Sequence, residues 1–232
     1  MVDFSRYQIV LFDVDGTVAE TEGEGHLPAF NQAFKEFDLP WVWSLQEYGE
    51  LLKVTGGFER IQAYAQKIGA ADALSEEGKA KCLKVHKRKN EIYANRLQSG
   101  LIPPRQGFTR LVDQILGEGL RWAVVTTTSR GNWQALWDYA VKPVAPHLPE
   151  PEIAVCGEDV SQKKPHPEAY ELALQKLNLQ PHQCLAIEDS RNGLVSAGGA
   201  GIPVVMVRSL FFGHQQFPEA LAVVNELSEL VD

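Results

Sequence analysis

The chain predicts an α/β fold: a parallel sheet carrying an inserted helical domain. Three observations predict it. Short, wholly apolar runs recur along the sequence, helical periodicity fills most of the intervals between them, and one long interval, residues 27–99, shows helical periodicity alone. Apolar runs alternating with amphipathic helices are the pattern of βαβ units. An interval of that length is too long for a loop and reads as a domain of its own.

The runs "QIVLFD" (8–13), "RWAVVTT" (121–127), "EIAVCG" (152–157), "QCLAIED" (183–189) and "IPVVMV" (202–207) read as strands buried on both faces. Between them, Phe108, Leu111, Val112, Ile115 and Leu116 share one helical face and stop at Gly117. Tyr170, Ala173, Leu174 and Leu177 do the same before Asn178. In the long interval Leu27, Phe30, Phe34 and Phe37 keep helical spacing, as do Ile61, Ala65 and Ile68. A basic run, "KAKCLKVHKRKN" (79–90), continues the pattern through Ile92 and Leu97. "LIPPRQG" (101–107) reads as the return linker, stiffened by Pro103 and Pro104. The expected division is a core of residues 1–18 and 103–232 and a helical domain of residues 19–102.

Bulk properties narrow the function. The chain has 232 residues, 44% hydrophobic, with a net charge of −8, which disfavours broad binding to nucleic acid or anionic membrane. Its three cysteines, Cys82, Cys156 and Cys184, show no CxxC pairing, so neither a disulfide framework nor a zinc site is expected. No apolar stretch approaches the roughly 20 residues of a membrane span. The first strand begins too near Met1 to leave room for a cleavable leader, so a cytoplasmic protein, monomeric at this size, is expected.

In open parallel sheets, ligands bind beyond the carboxyl ends of the strands. Here those ends carry Asp13 and Asp15, then Thr126, Thr127 and Thr128, then a loop with Lys163 and Lys164, then Glu188 and Asp189. Acids at two strand ends make oxygen ligands for a hard cation such as Mg²⁺. Hydroxyls and a lysine beside them suit a phosphate, and a carboxylate placed among these groups is a known phosphoryl nucleophile. Taken singly, Asp-Gly is a turn, the threonines are strand residues with a helix cap, and the lysines are solvated charge. Their occurrence at successive strand ends, in sheet order, favours chemistry.

"DVDGT", "VVTTTS", "KKP" and "AIEDS" resemble the four motifs of the haloacid dehalogenase superfamily, whose Rossmann-like core accepts a helical cap after the first motif. The stretches "DVDGTVAETEGEGHLPAFNQAF", "WVWSLQEYGELLKVTGG" and "ERI" are similar to the CbbY-type sugar phosphatases, which remove a phosphate from xylulose-1,5-bisphosphate, an inhibitor of Rubisco. The resemblance implies that Asp13 is the nucleophile and Asp15 the general acid and base. Asp13, the Asp15 carbonyl and Asp189 then hold Mg²⁺, and Glu188 is a further ligand or holds a ligating water. Thr126 and Lys164 engage the transferring phosphoryl group, with Thr127, Thr128 and Ser129 beside them.

In the cap, Glu22, His26 and Tyr48 are implied as sugar contacts, Gly56 and Gly57 as a second phosphate nest, and Lys89 as a phosphate contact. The stretch before His26 is one residue longer than the family form. The family lysine after the two glycines is here Phe58, with Arg60 the nearest replacement. Trp41 and Trp43 read as cap core. The partner expected is a small sugar bisphosphate. The alternatives are a β-phosphoglucomutase-like mutase, a generic sugar-phosphate or phosphoglycolate phosphatase, and a nucleic-acid module built on the basic run. That run lacks the aromatic residues that would stack bases.

Overall fold

The structure is a computed structural model describing residues 2–231. The chain divides into two compact units, Met1–Glu20 with Pro103–Asp232, and Thr21–Ile102. The first unit opens with a 3-10 turn (Phe4–Arg6) followed by β1 (Ile9–Phe12). The second then holds a π-helical turn (Glu22–His26), α1 (Leu27–Glu36), α2 (Leu45–Leu51), α3 (Gly57–Lys67), α4 (Ala71–Leu74) and α5 (Glu76–Gln98). The rest belongs to the first unit: α6 (Phe108–Gly117), β2 (Arg121–Val125), α7 (Arg130–Leu136), β3 (Ala154–Val155), α8 (Glu168–Leu177), β4 (Cys184–Glu188), α9 (Arg191–Gly199), β5 (Val204–Val207) and β6 (Ala222–Val224).

The strands form one six-stranded sheet in the order β3-β2-β1-β4-β5-β6, parallel throughout. In β1, Ile9 to Phe12 are all fully buried, as expected of a strand with both faces covered. The register sets Phe12 beside Val124 on one side and Ile187 on the other. Asp13, Thr126 and Glu188 therefore emerge together at one end of the three central strands. On one face Phe12, Phe108, Trp122, Trp133 and Trp137 form an aromatic cluster, Phe12 meeting Phe108 edge-on at 5.5 Å.

Val18, Ala19 and Glu20 stay with the sheet rather than the helices, and the reason is backbone pairing. Arg105 N–H donates to Val18 O at 2.8 Å, and Ala19 forms a bridge with Pro104. The Arg105 guanidinium, itself buried, uses all five of its N–H groups. Nη1 donates to Gly16 O and Glu20 Oε1, Nη2 to Arg208 O and Asn225 O, and Nε to Glu226 Oε2, at 2.7–3.2 Å.

The helical unit has its own aromatic core. Trp43 lies 4.8 Å from Phe30 and 4.7 Å from Phe34, Trp41 packs on Phe34, and Tyr48 and Tyr64 close the group. Asn31 pins the Trp43 backbone through both its carbonyl and its N–H. The reading of Trp41 and Trp43 as core residues describes what is seen. Two features differ from the sequence reading. β6 escaped it, because only Val224 of its three residues is buried and they follow an exposed Leu221. β3 is two residues, shorter than the run 152–157.

Candidate active site

Lys164 stands at the centre of the sheet-end cluster. Its Nζ donates to Asp13 Oδ1 at 2.7 Å, to Glu188 Oε1 at 2.6 Å and to the Val125 carbonyl at 2.7 Å. Those contacts use all three ammonium donors. Tyr170, fully buried on α8, donates its hydroxyl to the same Glu188 Oε1 at 2.5 Å. Asp13, Glu188 and Asp189 each offer an oxygen, and these oxygens lie within 4.8 Å of one another. All three residues are buried, Glu188 completely.

One ammonium pairs with two of three buried acids that lie side by side, so ionising all three would leave two negative charges uncompensated. The electrostatics register this. Burial pushes Asp13 well above the usual carboxylate range against the pull of Lys164. Burial and the neighbouring Asp13 do the same to Asp189. For Lys164, burial opposes the charge, but Asp13 and Glu188 outweigh it and push the ammonium up to about 12. Burial and Glu188 together hold the Tyr170 phenol well above its ordinary value, so it remains a donor. Glu188 Oε2 is buried and has no hydrogen-bond partner. An acceptor oxygen in that state, among acids short of two positive charges, fits a hard divalent cation with oxygen ligands.

Two glycines make this crowding of acids possible. Gly16, at φ +84°, turns the chain after Asp15, and a Cβ there would meet the Asp189 carboxylate. Gly193, in the first turn of α9, lies so close against the Glu188 carboxylate that a Cβ would run into Oε2 first and would also fall 2.5 Å from Oε1. Ser190 caps that helix through the Gly193 N–H.

The remaining candidates fall into distinct places. Asp15 is half-buried in the turn after β1, its backbone bridged to Ala19. Its carboxylate is not part of the acid group found among the described residues. Thr126 is buried, and its Oγ1 accepts the Thr128 N–H at 3.1 Å. Thr127 is half-buried. Thr128 Oγ1 accepts from Asn132 Nδ2, and Ser129 Oγ accepts the Asn132 N–H, which makes Ser129 the N-cap of α7.

Within the helical unit, the Tyr48 hydroxyl bonds Glu22, and Arg60 Nη1 donates to the same hydroxyl at 3.1 Å. Arg60 is buried and also donates to the Leu51 carbonyl. Gly56 caps α3 and Gly57 begins it. A water-facing His26 was the plainer alternative, and the structure excludes it: the ring is buried and stacks on Tyr93 at 4.0 Å. Lys89 Nζ donates to His26 Nδ1 at 2.8 Å and lies over the Phe30 ring at 4.7 Å. The basic run thus splits, with Lys89 buried while Lys79, Lys81, Lys84 and Lys87 are not. His26 closes the π-helical turn Glu22–His26, in which the Leu27 N–H reaches back to Glu22 O. A π turn is one way for a helix to absorb an extra residue, which matches the longer stretch noted there.

Sequence reasoning missed Tyr170, Arg105 and Gly193 as site residues. Tyr170 fits the apolar face of its helix, and only its hydroxyl, a polar tip on a buried face, was a signal.

The chain matches the family model for haloacid dehalogenase-like hydrolases over residues 7–201. Protein CbbY of Rhodobacter capsulatus is 39% identical over 224 residues, covering 94% of this chain and 93% of that protein. A CBBY-like protein of Arabidopsis thaliana is 37% identical, covering 93% of this chain and 68% of its own length. Among solved structures, CbbY from Rhodobacter sphaeroides in complex with phosphate is similar at a TM-score of 0.84 and 34% identity, over 97% of this chain and 96% of that one. A mutant of that protein in complex with xylulose-(1,5)bisphosphate gives the same values.

Proposed function

The chain belongs to the haloacid dehalogenase-like hydrolases, on their CbbY-type phosphatase branch, and from that premise we propose that it converts xylulose-1,5-bisphosphate to xylulose-5-phosphate. The observation that carries the phosphoryl-transfer part is the buried group in which Lys164 bridges Asp13 and Glu188, with Asp189 alongside. The substrate is carried by the likeness to a protein crystallised with that bisphosphate.

In this reading Asp13 attacks phosphorus, forming an aspartyl-phosphate while the sugar oxygen leaves. Asp15 protonates that oxygen and then takes a proton from the water that hydrolyses the intermediate. Lys164 counteracts the burial that would protonate Asp13 and fixes the direction of its carboxylate. Thr126 and neighbouring N–H groups cradle the phosphoryl oxygens. Asp13, Glu188, Asp189 and the Asp15 carbonyl are the groups assigned to Mg²⁺, which when bound neutralises phosphate charge. In the helical unit Glu22, His26, Tyr48, Arg60, Lys89 and the Gly56–Gly57 turn are assigned to recognition of the sugar and its second phosphate. The setting that goes with this substrate is the cytoplasm of a bacterium that uses Rubisco.

Incubation of the purified protein with Mg²⁺ and xylulose-1,5-bisphosphate tests the proposal. Release of one equivalent of phosphate per sugar, faster than from hexose phosphates or phosphoglycolate, is expected. Interconversion of a hexose phosphate without net phosphate release would make the protein a mutase and overturn the reading.

A further inference from the structure

We propose that Tyr170 is a positioning residue of the cation site: its hydroxyl, with Lys164, fixes the Glu188 carboxylate so that Oε2 is the oxygen presented to the metal. The inference rests on the reading of Asp13, Glu188 and Asp189 as the cation ligands.

The two oxygens of Glu188 are treated unequally. Oε1 receives the Tyr170 hydroxyl at 2.5 Å and the Lys164 ammonium at 2.6 Å. Oε2 receives nothing from the protein, although it is buried. The terminal torsion of a glutamate is broad and roughly two-fold, so a carboxylate without such an asymmetry would sample either oxygen. Placing both donors on Oε1 removes that freedom, while Gly193, lacking a side chain, leaves room for Oε2.

Lys164 is poorly suited to the task alone. Its ammonium is divided among Asp13, Val125 O and Glu188, and Asp13 changes charge when it takes up a phosphoryl group. Tyr170 has no such divided duty. Its hydroxyl meets Glu188 from α8, an element packed on the sheet, and its ring lies 5.1 Å from the Lys164 Nζ. The aromatic body fills core space that a phenylalanine would fill as well, so the hydroxyl is what distinguishes tyrosine here. Outer groups that orient metal ligands typically govern about 10–100-fold in metal affinity.

Calorimetric titration of the metal-free protein with Mg²⁺ alone tests this. Tyr170→Phe should weaken Mg²⁺ binding about tenfold, leave the KM of the phosphate ester at saturating Mg²⁺ unchanged, and barely move the unfolding midpoint in EDTA. Tyr170→Met, which also keeps an apolar body and loses the hydroxyl, should show the same loss, and it serves if the phenylalanine variant folds poorly. In a Glu188→Ala background Tyr170→Phe should have no further effect on Mg²⁺ affinity, because the residue acts through Glu188. Wild-type affinity in Tyr170→Phe, or an equal loss in the Glu188→Ala background, overturns the inference. A wild-type protein that binds no Mg²⁺ overturns the cation reading and this inference with it.

Discussion

Gly16 lies so close to Asp189 that a Cβ added to the glycine would stand 2.7 Å from Asp189 Cγ. Gly193 stands in the same relation to Glu188. The two sites make a matched pair of tests. Gly16→Ala combines the clash with a left-handed backbone, which costs a side-chain-bearing residue about 1–2 kcal/mol. Gly193→Ala has no such strain, and within a helix the change ordinarily stabilises by about 1 kcal/mol. Both variants should nonetheless lose Mg²⁺ affinity and phosphatase turnover, and Gly193→Ala should lower the thermal midpoint despite its better helix propensity. Calorimetry and phosphate release measure this. A more stable, fully active Gly193→Ala would show that the Glu188 carboxylate moves aside at no cost.

Asp13→Asn separates activity from stability. The amide cannot form an acyl-phosphate by direct attack, so turnover should fall to background. It also removes one of three clustered buried acids, two of which share a single ammonium, so in EDTA the variant should resist urea better than the parent. Chemical denaturation curves read the second effect. Lower stability in EDTA would mean that the Asp13–Lys164 contact outweighs the repulsion.

The pH dependence of the metal-free protein has a definite sign. Asp13 and Asp189 hold their protons to higher pH when folded than the ordinary aspartate value of 3.8 allows. The native state therefore binds more protons than the unfolded chain between that value and the raised ones, and stability falls as pH climbs through the window. Mg²⁺ displaces those protons, so its stabilising effect should grow with pH. Thermal midpoints recorded in EDTA and in Mg²⁺ from weak acid to neutrality should diverge. Parallel curves would argue that neither acid changes its protonation on folding.

Phe58 lies in the first turn of α3, where the resemblance to the CbbY type implies a lysine. Phe58→Lys should lower the KM of a sugar bisphosphate about tenfold, in line with one charge-assisted contact, and leave monophosphates unchanged. Steady-state kinetics on the two substrate classes distinguishes the cases. Equal effects on both would mean that this turn does not read a second phosphate.

The sheet was legible because its strands are buried on both faces, and such strands leave continuous apolar runs. Asp13, Glu188 and Asp189 stood out for the same reason, as each interrupts an apolar run abruptly. What escaped is what periodicity does not encode. β6 lies partly open to solvent and carries no alternation over its three residues. Tyr170 and His26 obey helical spacing, and nothing in spacing tells which polar tip finds a partner across the fold. The extra residue before His26 was visible as length, but its accommodation in a π-helical turn depends on the pairing of Leu27 with Glu22.

Arg105 ties the turn after β1 to two segments that are distant in the chain, at residues 208 and 225–226. The segment at residues 225–226 is therefore a brace for the turn that follows Asp13. A version trimmed before residue 225 would strand a buried guanidinium without two of its acceptors and release the carbonyl of Gly16, leaving catalysis weaker while the strands remained assembled.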